Sequence, residues 1–260
     1  MVETAYFCPG DDKEAERLDM QHALLTELLG DSLHLCPFRS GNTPVNILDV
    51  CCGTGIWTID VADEYPNCIV KGADLAPIQP SWVPPNASFE MDDMRLPWTF
   101  RPESFNLIHT RSTIHTGCWG DFKTEAIQEA FGALQPGGWL ECQEFGSLVK
   151  CDDGSLPVDS ALATWARDAS LAASQAGRPR DVADRMRQWF KEVGFVDVHE
   201  VRYKLPIGGW TKDARLAYLG KFWWLLMNEG LDALSTRLFS EVLCWDEAQT
   251  KVRHLGLTFG

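Results

Sequence analysis

The stretch "NILDVCCGTGIWTID", Asn46 to Asp60, gathers Asp49, Cys51, Cys52, Gly53 and Gly55 between an apolar run and a helix-like segment. Glycines let a ligand approach the main chain closely, and a helix start offers unpaired N–H groups. Gly53 and Gly55 lack the third glycine of G-x-G-x-x-G, whose place falls on Thr58, and no Gly-Lys-Ser/Thr follows. The turn therefore matches neither a dinucleotide loop nor a triphosphate loop. Asp74, about 20 residues further on, is in register to accept hydrogen bonds from ribose hydroxyls. In "MDDMRLPW", Asp92 or Asp93 can accept from an exocyclic adenine amine. Glycine turn, ribose acid and adenine acid, in that order, describe a pocket for an adenosine without phosphate, and the absence of Lys and Arg around the turn agrees. The adjacent cysteines lack a nearby Cys-x-x-Cys or His partner, so they read as small packing residues and no metal site is expected.

The elements that must position these groups alternate. "VNILDV", "CIVKGAD", "ASFEMD", "FNLIHTR" and "GWLECQE" read as five strands with helical or turn-rich segments between them, and "VDVHEVRYKLP" reads as a sixth. Strand and crossover repeated in this way imply an α/β fold, a parallel sheet with helices on both faces. Ahead of it, Asp11 with Glu14 starts a helix that Gly30 stops; Leu18, Leu25, Leu28 and Leu29 form its apolar stripe. Helical periodicity returns in "SALATWARDASLAASQAG" and "RDVADRMRQWFKEVG", and the region after Trp210 reads as helices dense in aromatics. We expect a single domain over residues 1–260: an N-terminal helical lid over 1–44, a cofactor-binding core over 45–150, and a helical substrate cap with the sixth strand over 151–260.

The chain has 260 residues and a net charge of −14, with no clustered Lys and Arg, which argues against nucleic acid as a partner. No apolar run is long enough to span a bilayer and no leader-like start is seen, so the expectation is a protein without membrane contact, cytoplasmic, or nuclear if it is regulatory. Nine cysteines without a disulfide-like framework suit a reducing compartment. "NAS" at Asn86 reads as a chance match to a glycosylation acceptor.

The segments "DVCCGTG", "GADL", "DDMRLPW", "FNLIHTR" and "LQPGGWLECQE" together resemble the class I S-adenosylmethionine-dependent methyltransferases. A closer resemblance, to the LaeA-like group of fungal secondary metabolism, rests on "ERLDMQH", "GTGIWTIDVADEYP", "DLAPIQPSWVPPN", "FEMDD", "PGGWLE", "CDDGSLP" and "KLPIGGW". It implies a Rossmann-like sheet and S-adenosyl-L-methionine as cofactor, with S-adenosyl-L-homocysteine as product. It also implies contact with that cofactor for Asp49, Cys51, Gly53, Gly55, Asp74, Leu75, Asp92, Asp93, Met94 and His109.

Methyl transfer from a sulfonium is an in-line displacement in which the protein chiefly aligns and dehydrates. A base is needed mainly for a neutral hydroxyl or amine acceptor. In this fold the loop after the fourth strand, "HTRSTIHTGCWG", faces the methyl group, and His115 and His109 are its candidate bases. Arg111 either grips an acidic substrate or ties the strand end to a carboxylate; Trp119, Glu144, Trp223 and, as a lid, Tyr6 and Phe7 are further substrate candidates. The expected acceptor is a small apolar metabolite, methylated at O, N or C. The rivals are a cofactor-binding regulator working through protein partners and a scaffold for a non-methylating cyclisation or elimination.

Two residues depart from the family pattern: Cys51 stands where glycine is usual and Cys118 where aspartate is frequent. Cys51 is expected to be tolerated because that position need not be left-handed. A closing seventh strand is expected to be truncated or absent, and a homodimer or protein partner is the expected cover for the C-terminal sheet edge.

Overall fold

The computed structural model describes residues 11–38, 45–114, 118–146, 149–180, 182–246 and 248–250. Five strands form one sheet: β1 (Val45–Val50), β2 (Cys68–Asp74), β3 (Ala87–Met91), β4 (Phe105–Arg111) and β5 (Leu134–Gln143). Every pairing is parallel, in the order β3-β2-β1-β4-β5. The central strand β1 is almost wholly buried, as a strand covered on both faces must be, whereas β3 at the edge is only half-buried. Strand order reverses between β1 and β4, so a crevice opens at the carboxyl ends of these strands, where doubly wound sheets take ligands.

Helix α2 (Ile56–Glu64) covers one face. Its Trp57, Val61 and Ala62 pack with Ile47, Val70 and Leu107. The other face carries a π-helical stretch, Lys123–Gln128, running into α3 (Glu129–Ala133), together with α5 (Ala183–Val193). There Ile127, Ala130 and Met186 meet Leu48, Val50 and Ile108.

Helix α1 (Asp12–Leu28) starts as its capping pattern predicts: the Asp11 carboxylate accepts from Glu14 N at 2.9 Å, and Gly30 ends it with a φ of +77°. Its Leu24, Leu25 and Leu28 pack on Leu219 and Leu226 of α6 (Ala214–Val242), so α6 holds α1 over the sheet's carboxyl edge. Helix α4 (Ala161–Gln175) presents Ala166, Ala169, Ala172 and Ala173 to Leu231, Leu238 and Phe239 of α6, small residues that let the two axes approach. No described helix is long and apolar enough to cross a membrane.

The expected sixth strand does not form. Residues 196–206 are irregular, and Val196, Val201 and Tyr203 are exposed. The apolar positions change phase between Val198 and Val201, so no one face of an extended segment is apolar throughout, and Asp197 has a φ of +50°. Arg202 instead pairs with Glu200 and Asp184. The terminal "LGLTFG", and Tyr6 and Phe7 of the expected lid, lie outside the described residues.

Candidate cofactor-binding site

The turn leaving β1 is built almost entirely from main chain. Cys52 N donates to Ala73 O and Gly55 N to Cys52 O, while Cys51, Gly53 and Gly55 all take left-handed backbone, with φ of +56°, +57° and +79°. Cys51 therefore does occupy a left-handed position, contrary to the sequence expectation, and carries the strain a β-carbon brings there. Gly55 is also the N-cap of α2 and gives that helix no side-chain cap. Its need for glycine has a second cause: a β-carbon would stand 2.4 Å from Phe89 Cζ, whereas one on Gly53 would meet only Leu18 Cδ1, at 3.4 Å.

Asp74 closes β2 beside this turn. One oxygen accepts from Gly53 N at 2.8 Å and the other from Ala76 N at 2.9 Å; burial raises its pKa against these bonds. Gln79, unremarked in the sequence, donates to Gly53 O at 2.6 Å and to Ala76 O at 2.9 Å, pinning the Leu75–Gln79 loop to the glycine turn. Leu75 is half-buried between them. At the end of β3, Asp93 is engaged by Arg95 at 2.8 and 2.5 Å, which lowers its pKa. Among the described residues Asp92 accepts only from Asp93 N, so Asp92 has the freer carboxylate there. Met94 is buried with Val50, Ala73 and Trp119.

Asp49 and His109 face α2 rather than open space. Asp49 accepts from Thr58 Oγ1 at 2.8 Å, and its other oxygen lies 2.8 Å from His109 Nδ1. The His109 ring is 1% exposed and stacks on Trp57 with centroids 3.6 Å apart. His109 is thus enclosed as a packing and hydrogen-bonding group between β4 and α2, and the geometry does not bring it to an acceptor. His115, the other candidate base, lies outside the described residues.

Glu144, just beyond β5, spends its carboxylate on the loop after β4. It accepts from Thr113 N at 2.9 Å, Thr113 Oγ1 at 2.7 Å and Ile114 N at 3.2 Å. Trp119 Nε1 donates to the same Thr113 hydroxyl at 2.8 Å. Glu144 thereby fixes the loop that leads to His115, and burial lifts its pKa to about 7. Beside this loop Cys51 is hydrogen-bonded to Cys118, so the two departures from the family pattern are spatial neighbours; that bond and burial push the Cys51 thiol well up. Trp223 stacks on Phe145 at 4.8 Å, at the seam between α1, α4 and α6.

Arg111 ends β4 on the same face as His109. Its guanidinium donates to His22 Nδ1 at 2.6 Å, and His22 Nε2 lies 2.8 Å from Asp60 Oδ2. The strand end is thus tied to a carboxylate, as one sequence reading has it, but through an intervening imidazole of α1.

These features suit a phosphate-free adenosine ligand. An uncapped helix start and a main-chain turn lie beside the carboxylates at the ends of β2 and β3. A cavity of about 170 Å³ opens behind the loop after β4, lined by Ile114, Trp119, Phe122, Val182, Arg185 and Trp189. His34, Cys36 and Glu141 also converge, but His34 contacts Cys36 O and Tyr65 OH and Glu141 accepts from Leu35 N and Cys36 N, so their lone pairs are spent within the protein.

A family model described as a methyltransferase domain matches residues 20–200. The chain is 37% identical over 254 residues to the methyltransferase pytC of Aspergillus terreus, a match covering 97% of this chain and 76% of that one. It is 37% identical over 245 residues to the secondary metabolism regulator LAE1 of Cochliobolus heterostrophus, covering 93% and 78%. It is 34% identical over 246 residues to the protein-methionine methyltransferase laeA of Emericella nidulans, covering 92% of this chain and 63% of that one. Among solved structures, phosphoethanolamine N-methyltransferase 2 of Haemonchus contortus in complex with S-adenosyl-L-methionine has a TM-score of 0.50 at 16% identity, covering 98% of this chain and 50% of that one, a likeness of fold.

Proposed function

The chain belongs to the methyltransferase-domain family, whose cofactor is S-adenosyl-L-methionine, and on that premise we propose that it methylates a small apolar metabolite of fungal secondary metabolism at oxygen, nitrogen or carbon. The observation that carries this reading is the cavity of about 170 Å³ behind the loop after β4, walled by Trp119, Trp189 and Phe122. A space lined in this way takes flat apolar molecules.

When bound, the cofactor supplies an electrophilic methyl group on sulfonium. The chain's own residues bind and orient. Asp74 accepts the ribose hydroxyls, Asp92 the adenine amine, and the left-handed turn at Gly53 and Gly55 keeps side chains away from the methionine end. Glu144 holds Thr113 and Ile114, the residues that lead toward the candidate base His115. Helix α1 closes over the turn through Thr54 Oγ1, which donates to Asp19 Oδ1 at 2.6 Å, and excludes water. Alignment and dehydration of this kind supply about 7–11 kcal/mol of barrier lowering.

A second reading is a regulator whose acceptor or partner is a protein. Its support is the identity to LAE1 and laeA, named as regulators of secondary metabolism and, in one case, as a protein-methionine methyltransferase. Incubation with methyl-labelled cofactor and a fungal metabolite extract separates the two. Label in an organic-soluble product supports the first reading, label confined to protein supports a protein acceptor, and no release of S-adenosylhomocysteine contradicts methyl transfer to either and leaves a regulator that acts through a partner alone.

A further inference from the structure

Arg111 is a half-buried cation with no carboxylate bonded to it among the described residues. Its one hydrogen bond among the described residues goes to His22 Nδ1, at 2.6 Å. The two nearest acids are already committed: Asp49 to Thr58 and His109, Asp60 to His22. Arg95, at the end of β3, shows the alternative, a cation closed into a two-bond pair with Asp93. A half-buried guanidinium whose one bond goes to an imidazole keeps donors for a ligand, and a carboxylate, with two parallel oxygens, fits its planar fork best.

The position of Arg111 says which carboxylate. Asp49 and Val50 of β1 lie opposite His109 and Thr110 of β4, so Arg111 follows in register beside Cys51, the first residue of the glycine turn. From above, Leu18 and Asp19 of α1 lie against Gly53 and Thr54, and His22 lies one helical turn further along. The cation therefore sits under α1 at the β4 side of the turn, on the opposite side from the carboxylates of β2 and β3 proposed for ribose and adenine.

Resting on the cofactor reading above, we propose that Arg111 binds the α-carboxylate at the methionine end of the cofactor, and that His22, held by Asp60, is the positioning residue that aims it. In this arrangement the imidazole presents Nδ1 as an acceptor to the guanidinium while Nε2–H donates to Asp60. The remaining N–H groups of Arg111 then form a fork toward the turn.

The test is calorimetric titration of the full chain with two ligands: S-adenosylhomocysteine, and 5′-deoxy-5′-methylthioadenosine, which keeps the adenosine thioether and lacks the amino-acid end. Arg111→Gln is expected to weaken S-adenosylhomocysteine about 10-fold or more and to leave methylthioadenosine within about 2-fold. Arg111→Lys, which keeps the charge without the fork, and His22→Gln, which loses the aim, are expected to fall between wild type and Arg111→Gln for the first ligand only. If Arg111→Gln does not fold, Arg111→Lys decides alone. Unchanged affinity for S-adenosylhomocysteine, or equal weakening of both ligands, overturns the assignment while leaving the pocket intact. Wild-type protein that binds neither ligand overturns the cofactor reading and the assignment with it.

Discussion

Gly55 and Phe89 are in direct packing contact: a β-carbon added to the glycine would stand 2.4 Å from Cζ of the ring. The second glycine of the turn is thus fixed by β3 as well as by its left-handed backbone. Gly55→Ala is expected to destabilise the protein by about 2–4 kcal/mol, the sum of left-handed strain and overpacking. Gly53→Ala, with only Leu18 at 3.4 Å, should cost about 1–2 kcal/mol. Urea melts measure both. Adding Phe89→Leu to Gly55→Ala should recover the steric part and leave the backbone part, and a double variant no more stable than Gly55→Ala would count against the contact.

Glu144 introduces a pH dependence with a definite sign. Its carboxyl group keeps its proton in the folded chain up to about 7, against 4.5 as the ordinary value, because burial outweighs the bonds from Thr113 and Ile114. Below the ordinary value the group is neutral in both states. Between the two values the folded chain binds more protons than the unfolded one, so stability falls as pH rises through that window. Glu144→Gln should flatten this part of the stability profile, as read by thermal melts across it. A wild-type profile that rises there relative to the variant would contradict the burial of the charge.

The thiols should separate by reactivity. The bond to Cys118 and then burial push Cys51 strongly up, and burial raises Cys52 and Cys142 strongly and Cys36 to about 12, whereas Cys151 and Cys244 are exposed. Only the thiolate is nucleophilic. Limited alkylation at neutral pH, mapped by mass spectrometry, is expected among the described cysteines to label Cys151 and Cys244 first and the turn cysteines last. Early labelling of Cys51 would mean that the turn is open.

Trp119 bears on the acceptor. It lines the cavity and donates to Thr113, whose hydroxyl is bonded to Glu144. Trp119→Phe keeps the apolar wall and removes the N–H. It should leave cofactor affinity within about 2-fold while lowering turnover by about 10-fold, through the loss of one buried hydrogen bond that positions the loop. A fall in cofactor affinity with unchanged turnover would move Trp119 to the cofactor side.

Much of this fold is legible locally. The bounds of β1, β2 and β4 follow from apolar runs that stop at a turn or a charge, and α1 from the Asp11 cap and the Gly30 stop. The glycine turn and Asp74 stand out because main-chain sites need glycine and an acid at fixed places. What the sequence hides is contact between distant segments. Nothing local announces that Phe89 rests on Gly55, that His22 intervenes between Arg111 and Asp60, or that Cys51 meets Cys118. The misread sixth strand has the complementary cause: "VDVHEVRYKLP" has β-forming residues, but its alternation changes phase, which matters only against a sheet face. His109 reads as a base because histidine titrates near neutrality, yet its place in β4 points it at Asp49 and Trp57.

The turn at Gly53 and the Asp74 carboxylate are proposed to hold S-adenosylmethionine. Calorimetric titration of wild type and Asp74→Ala with S-adenosylhomocysteine tests it most directly. Saturable one-site binding to wild type is expected, with a loss of about 10- to 100-fold in Asp74→Ala, as two charge-assisted hydrogen bonds to ribose are removed. Equal affinities for the folded variant and the wild type would contradict it.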